Sequence, residues 1–390
     1  MTSTSPIAAA GAEFLLRPDV IFLNHGSFGA CPRPVFETYQ RWQRQLEAEP
    51  VEFLGRRLED ALRDARQALA AYLHTAADNL VFIPNATVGI NIVARSLPLT
   101  EGDEVLGTDH EYGAAERCWR YVCQQRGARY RSQPIALPLA DDDDDEAVVD
   151  EFWAGVTAQT RVIFLSHLTS PTALRFPVAA LCQRARAAGI YTVIDGAHAP
   201  GQLDVHLDEI GADFYTGNCH KWLCAPKGSA FLFVRPDLQE LMQPLIVSWG
   251  YESLHPSHSR FQDLFGWTGT MDPAAYLSVP AAIGFQAEHD WPSVRGAAHA
   301  LAREAQERVL ALSGASPIAP GHAWSQMCSI PLPPCDPTAL QEWLFREHHI
   351  EVPILRWNVQ TFLRLSVQAY NTPADIDHLL TALKRFSRHM

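Results

Sequence analysis

No stretch of the 390-residue chain approaches the ~20 uninterrupted apolar residues that span a bilayer. The first eleven residues, rich in Ser, Thr and Ala, lack the basic-then-apolar order of an export signal. Neither membrane insertion nor export is expected, and a cytoplasmic location is. There is no basic run either. Lys and Arg number 31 against 44 Asp and Glu, and the net charge of −13 repels nucleic acid and acidic lipid alike. The eight cysteines form no CxxC pair, which sets aside a zinc ribbon and a disulfide framework and leaves reduced thiols. His198, His206 and His220 belong to no HExxH motif, so a metal hydrolase and a metal site are not expected. No internal repeat is present.

What the chain does have is apolar content, 47%, enough for one large core and a second, smaller one. Residues 56–73 place Leu58, Ala61, Leu62, Ala65, Leu69 and Tyr72 at helical spacing. Short apolar runs at 79–84, 103–108, 160–165, 191–195, 214–216 and 229–234 then alternate with helical segments at 88–97, 112–126 and 178–188. That alternation predicts an α/β fold, a mainly parallel sheet flanked by helices, with ligands at the carboxyl ends of its strands. The acidic block DDDDDE at 141–146 reads as a solvated loop. From about residue 273 the pattern changes to helices at 274–288, 293–312, 337–347 and 373–386, with short strands near 327–331 and 364–367. The expected organisation is an N-terminal segment (1–32) over the site, a large domain (33–272) and a smaller α+β C-terminal domain (273–390).

The most informative stretch is 191–227, YTVIDGAHAPGQLDVHLDEIGADFYTGNCHKWLCAPK. One predicted strand ends in Asp195, and another ends shortly before His220-Lys221-Trp222. An acid and a lysine therefore reach the carboxyl edge of one sheet. Pyridoxal 5′-phosphate (PLP) chemistry needs that pair: an amine to join the cofactor aldehyde as a Schiff base, and a carboxylate to keep the pyridine nitrogen protonated. Lys221 supplies the first and Asp195 the second. Partial burial lowers the lysine pKa and fits it to act as a base near neutral pH.

DGAHAPG followed by TGNCHKWLCAPKG resembles the fold-type I PLP enzymes of aminotransferase class V, within them the isopenicillin N epimerase-like branch. FLNHGSFGACP at 22–32, FIPNATVGIN at 82–91, SHLTSPTALRFPV at 166–178 and RLSVQAYN at 364–371 extend the resemblance over most of the chain. It implies the PLP-dependent transferase fold and a homodimer whose subunits share each site. Ala86 and Thr87, at a predicted helix start, would hold the cofactor phosphate, with Asn218 and His220 completing the cup. Thr270, in the segment Trp267-Thr268-Gly269-Thr270, would reach the phosphate of the other subunit. Tyr112 falls where the family stacks an aromatic ring over the pyridine. His198 would lie near the ring oxygen, and Ser170 stands where other members often have Asn. Arg364 would grip a substrate α-carboxylate with its forked guanidinium. Asn24 and His25 lie in a segment that folds over the site, His25 being either a substrate contact or a turn residue.

The expected substrate is an amino acid or a small molecule containing one, attacked at Cα. Removal of the Cα proton by Lys221 leads to epimerisation, transamination or β-elimination, depending on where the next proton arrives and whether a Cβ substituent leaves. Residues 351–363, EVPILRWNVQTFL, carry no cysteine, which disfavours the persulfide chemistry of class V desulfurases. Epimerisation wants a second acid, for which Tyr112 and His25 are candidates. The branch resemblance places an epimerase or racemase first, then a C–S lyase or an aminotransferase. A PLP-binding fold without catalysis is a further alternative, opposed by the intact Asp195 and Lys221.

Overall fold

The computed structural model describes residues 6–139 and 145–389. Residues 1–5 of the N-terminal lead and residues 141–144 of the acidic run lie outside the described residues, and Glu146 at the end of that run opens the helix Glu146–Trp153.

A short strand, β1 (Ile21–Phe22), precedes seven strands that form one sheet: β2 (Leu80–Ile83), β3 (Glu104–Thr108), β4 (Arg129–Gln133), β5 (Thr160–Ser166), β6 (Tyr191–Asp195), β7 (Phe214–Asn218) and β8 (Ala230–Val234). Their order is β2-β8-β7-β6-β5-β3-β4. Strands β3 to β7 run parallel to their sheet neighbours among themselves, and β8 is antiparallel to both β2 and β7. The period of two explains why the strands read as continuous apolar runs: Ile163 and Leu165 enter the core on one face, Val162 and Phe164 the core on the other. Leu181 and Ala185 of the helix Val178–Ala187 cover the first face, and Ile90, Val93 and Trp119 the second. The fold is α/β, a mainly parallel sheet flanked by helices, as the sequence pattern predicts.

Strand β4 was not expected. Its sequence, RYRSQ, is polar because it closes the edge of the sheet and has one neighbour. The helix expected at 88–97 begins two residues earlier, as Ala86–Ser96, because the Asn85 carboxamide caps it by accepting the Val88 N–H at 3.0 Å. The helix expected at 274–288 is two, Ala274–Leu277 and Val279–Glu288, separated at Ser278 just before Pro280.

The C-terminal part contributes β9 (Met327–Leu332), β10 (Ile350–Glu351), β11 (Ile354–Trp357) and β12 (Gln360–Ser366). Three of these form an antiparallel sheet in the order β11-β12-β9. Leu340 and Leu344, Ile376 and Leu379, and Ala302 and Val309 from three helices pack in its core. Val279, Ala282 and Phe285 instead pack with the large sheet, so the change from one core to the other falls within the long helix Trp291–Ser313. The chain start is tied to the small sheet: β1 pairs in parallel with β10, and Ser366 donates its N–H to the Leu23 carbonyl at 3.0 Å. That tie carries residues 24–28 to the carboxyl edge of the large sheet.

Candidate active site

Four neighbouring parallel strands end in polar residues at one edge: Asn218 on β7, Asp195 on β6, Ser166 on β5 and Thr108 on β3. Above this edge is a cavity of about 280 Å³. Of the residues expected in the site, Lys221, Asp195, Tyr112, Ala86, Thr87, Ser170, His198, Asn218 and His220 all line it. So do Ser27, Phe28, Asn85 and Ser166, which sequence reasoning missed.

Lys221 sits on the turn after β7, pinned where Cys219 and His220 both donate N–H to the Ser229 carbonyl and Cys224 donates to the Lys221 carbonyl. The N-terminal segment presses directly onto this turn. Gly29, at φ 71°, has room for no side chain: a Cβ there would lie 2.1 Å from the His220 carbonyl oxygen and 2.8 Å from Lys221 Cα.

The Lys221 amine lies 3.2 Å from His198 Nε2, and His198 Nδ1 accepts the Trp222 indole N–H at 3.3 Å. That indole bond leaves the proton of a neutral ring on Nε2, facing the amine. Burial pushes the Lys221 pKa down to about 8, against the opposing pull of Asp195. Asp195 accepts the Ala197 N–H at 2.9 Å. Burial raises its carboxyl pKa, and the Ala197 bond and Lys221 work the other way. His198 is held well below its ordinary range by burial and then by the neighbouring Lys221. Burial also brings His220 down to about 4, and its Nδ1–H donates to the Ser229 carbonyl at 2.9 Å.

Arg364, on β12, reaches across from the small sheet. It donates to the Ser170 carbonyl at 2.8 Å, to Ser170 Oγ at 3.1 Å and to Ser27 Oγ at 3.0 Å. Its Nε is buried without a partner, and among the described residues no carboxylate pairs with it. Burial lowers its pKa to about 10. A buried cation without a counter-ion is a ready acceptor for an anionic ligand group.

Four expected residues are not part of the cavity lining: Arg364, which reaches it through its bonds to Ser27 and Ser170, and His25, Asn24 and Thr270. His25 is wholly buried beneath it: Nε2–H donates to the Lys221 carbonyl at 3.1 Å and Nδ1 accepts the Tyr370 hydroxyl at 2.9 Å. With both nitrogens engaged, it braces the Lys221 turn. Asn24 donates to Glu351 at 3.0 Å and accepts from Ser27, the serine that holds Arg364. Thr270 is exposed and lies outside the cavity of its own chain.

A parallel sheet carrying a lysine, a buried acid and a helix N-terminus around one cavity is the layout of a PLP enzyme, and comparison with known proteins gives the family. The model for aminotransferase class V matches residues 21–379, and the chain belongs to that family of PLP-dependent enzymes, in its isopenicillin N epimerase-like branch. It is 37% identical to isopenicillin N epimerase of Amycolatopsis lactamdurans, with 98% of each chain covered. Against isopenicillin N epimerase of Streptomyces clavuligerus the identity is 36%, with 96% of each covered. A putative L-cysteine desulfhydrase of Oryza sativa subsp. japonica is 29% identical over 93% of this chain and 82% of its own. Among solved structures, an apo cysteine desulfurase of Thermococcus onnurineus NA1 superposes with a TM-score of 0.85 at 17% identity, covering both chains fully. The cystine C–S lyase C-DES, in complex with cysteine persulfide, gives 0.81 at 21%, with 94% of this chain and 97% of its own covered.

The cavity fits PLP. At the start of the helix Ala86–Ser96, the Ala86 N–H is taken by Asn218 Oδ1 at 2.9 Å and the Val88 N–H by Asn85. Thr87 therefore has its N–H and hydroxyl to offer a phosphate, and Asn218 its amide nitrogen. His220 Nε2 can join them once protonated, a change that a phosphate dianion favours. Asp195 supplies the buried anion that a pyridinium requires, and Lys221 the amine.

Proposed function

We propose that the protein is an epimerase or racemase acting at the Cα of an amino acid or a small molecule containing one. The observation that carries this reading is near-full-length identity of 36–37% to two isopenicillin N epimerases. When bound, PLP draws electrons from the substrate and makes its Cα–H acidic. Lys221 would be the residue that holds the cofactor and the base that takes the Cα proton onto Nζ. Asp195 would be the carboxylate partner of the ring nitrogen, and the His198 Nε2–H would be a hydrogen-bond donor for the cofactor. Arg364 binds the α-carboxylate and orients the Cα–H bond toward Lys221.

Inversion needs a proton donor on the face opposite Lys221. Of the two candidates, His25 is committed to the Lys221 carbonyl and Tyr370, whereas Tyr112 stands in the cavity with 46% of its surface exposed. Tyr112 is the donor in this proposal.

The competing reading is a C–S lyase, favoured by the desulfhydrase relatives. Among the described residues no cysteine lines the cavity, which suits a lyase that releases its sulfur product directly as well as it suits an epimerase. The oligomer in either reading is a homodimer in which Thr270 completes the partner's phosphate cup. Its support is the exposed apolar run Leu245, Ile246, Val247, Trp249 and Leu254, with Trp249 and Trp267 sharing one groove.

The test is a screen of single-enantiomer amino acids in deuterium oxide, followed for Cα exchange, chirality, keto acid, ammonia and sulfide. Exchange with inversion supports the epimerase. Exchange with pyruvate and sulfide release moves the assignment to the lyase, and no exchange with any amino acid supports a noncatalytic module.

A further inference from the structure

Behind the cavity floor lies a carboxyl that the proposed chemistry does not use. Glu111, next to the cavity-lining Tyr112, is only 7% exposed. Its Oε1 accepts the Thr108 hydroxyl at 2.7 Å and its Oε2 the Ser166 hydroxyl at 2.6 Å. Thr108 and Ser166 close β3 and β5, and Ser166 is the register partner of Asp195 across β5 and β6. Two buried carboxyls thus hang at one sheet edge with a serine between their strands.

Among the described residues, the groups that face Glu111 offer it no positive charge. They are Thr108 on β3, Ser166 on β5, Asp195 on β6 and Tyr130 on β4, whose buried hydroxyl has no partner. Lys221 acts on Asp195 from the cavity side. Two adjacent buried carboxyls do not both ionise at low cost. Burial first, and then the Asp195 charge, push Glu111 up to about 7 in spite of its two hydroxyl donors.

We infer that Glu111 is a positioning residue for the cofactor ring: with Asp195 it forms a two-carboxyl unit that keeps a proton on Glu111, in spite of Lys221, until the ring nitrogen of PLP pairs with Asp195, so that PLP uptake drives that proton off. The inference rests on the reading of Asp195 as the partner of the ring nitrogen. Only a carboxyl O–H bond breaks. The proton passes to the ring nitrogen or, where that nitrogen arrives protonated, to water, and the Thr108 and Ser166 hydroxyls, which already donate to Glu111, hold the carboxylate.

Two measurements test it. The infrared difference spectrum of apoprotein minus PLP-loaded protein, taken slightly below neutral pH, should show a protonated-carboxyl stretch lost on loading and missing from Glu111→Gln. PLP titrations of the apoproteins between roughly pH 5.5 and 8.5 should give a wild-type Kd that grows, relative to Glu111→Gln, by about tenfold per pH unit below ~7 and no further above it. Gln keeps the size of the side chain and can bond both hydroxyls, and the infrared measurement on wild type stands even if the variant misfolds. Asp195→Asn separates the two ideas. If it weakens PLP binding while the Kd ratio stays flat and no carboxyl band is lost, the Glu111 inference alone is overturned. If it leaves PLP affinity and absorption unchanged, the Asp195 reading fails and the inference falls with it.

Discussion

Lys221 Nζ stands 3.2 Å from His198 Nε2, and the far nitrogen of the same ring is held by the Trp222 indole at 3.3 Å. The buried indole fixes which histidine nitrogen carries the proton, and burial keeps the ring neutral. The amine therefore meets a hydrogen-bond donor rather than a second cation. This arrangement suits an unprotonated lysine, the form that attacks an aldehyde or removes a proton.

The first prediction concerns pH. With the Lys221 pKa lowered from 10.5 to about 8, covalent PLP capture by apoprotein should quicken about tenfold per unit as pH rises toward 8, then level off. Asp195 opposes that lowering, so Asp195→Asn should move the midpoint still lower. Stopped-flow absorbance across the pH range measures both midpoints. A wild-type midpoint near the ordinary lysine value would contradict the account.

The second concerns Arg364, which the structure holds by Ser27 and Ser170. Arg364→Ala should cost about 3 kcal/mol of binding to an amino acid, roughly a hundredfold in KM. Substrate analogues with the α-carboxylate replaced by a neutral amide should lose far less. Equal losses for acid and amide would remove Arg364 from the substrate site.

The third concerns His25. His25→Ala unpairs the buried Tyr370 hydroxyl and the Lys221 carbonyl and leaves a hole, so it should destabilise the protein by about 2–4 kcal/mol in urea unfolding. The pKa of His25 is lowered from 6.5 to about 3 by burial. Its unfolded form therefore takes up a proton first, and the stability it contributes is present above ~6.5 and lost as pH falls toward 3. In His25→Ala this part of the acid lability should vanish. An unchanged acid profile would mean that the ring is not buried neutral in solution.

Much of the site was legible because PLP chemistry demands rare combinations at strand ends. DGAHAPG and NCHKW follow predicted strands, which placed Asp195 and Lys221 at one edge, and the family resemblance added His198, Asn218 and His220. What could not be read was contact across the sheet. Ser166 and Thr108 look like ordinary strand-end hydroxyls, and only the fold shows that Glu111 is bonded to Ser166, the register partner of Asp195. His25 illustrates the same limit: a turn histidine beside a glycine-rich segment reads equally as a substrate contact or a turn residue, and only the fold turns its ring toward the Lys221 carbonyl. Strand β4 escaped because an edge strand has no need of apolar alternation.

The central claim is that Lys221 carries the cofactor, and the composition makes it unusually easy to test. The whole chain has three lysines, Lys221, Lys227 and Lys384. Borohydride reduction of the PLP-loaded protein, digestion and peptide mass mapping should place the pyridoxyl group on Lys221 alone, and Lys221→Ala should lose both the adduct and the absorption band at the edge of the visible. A reduced adduct on Lys227 or Lys384, or a band that survives in Lys221→Ala, would contradict it.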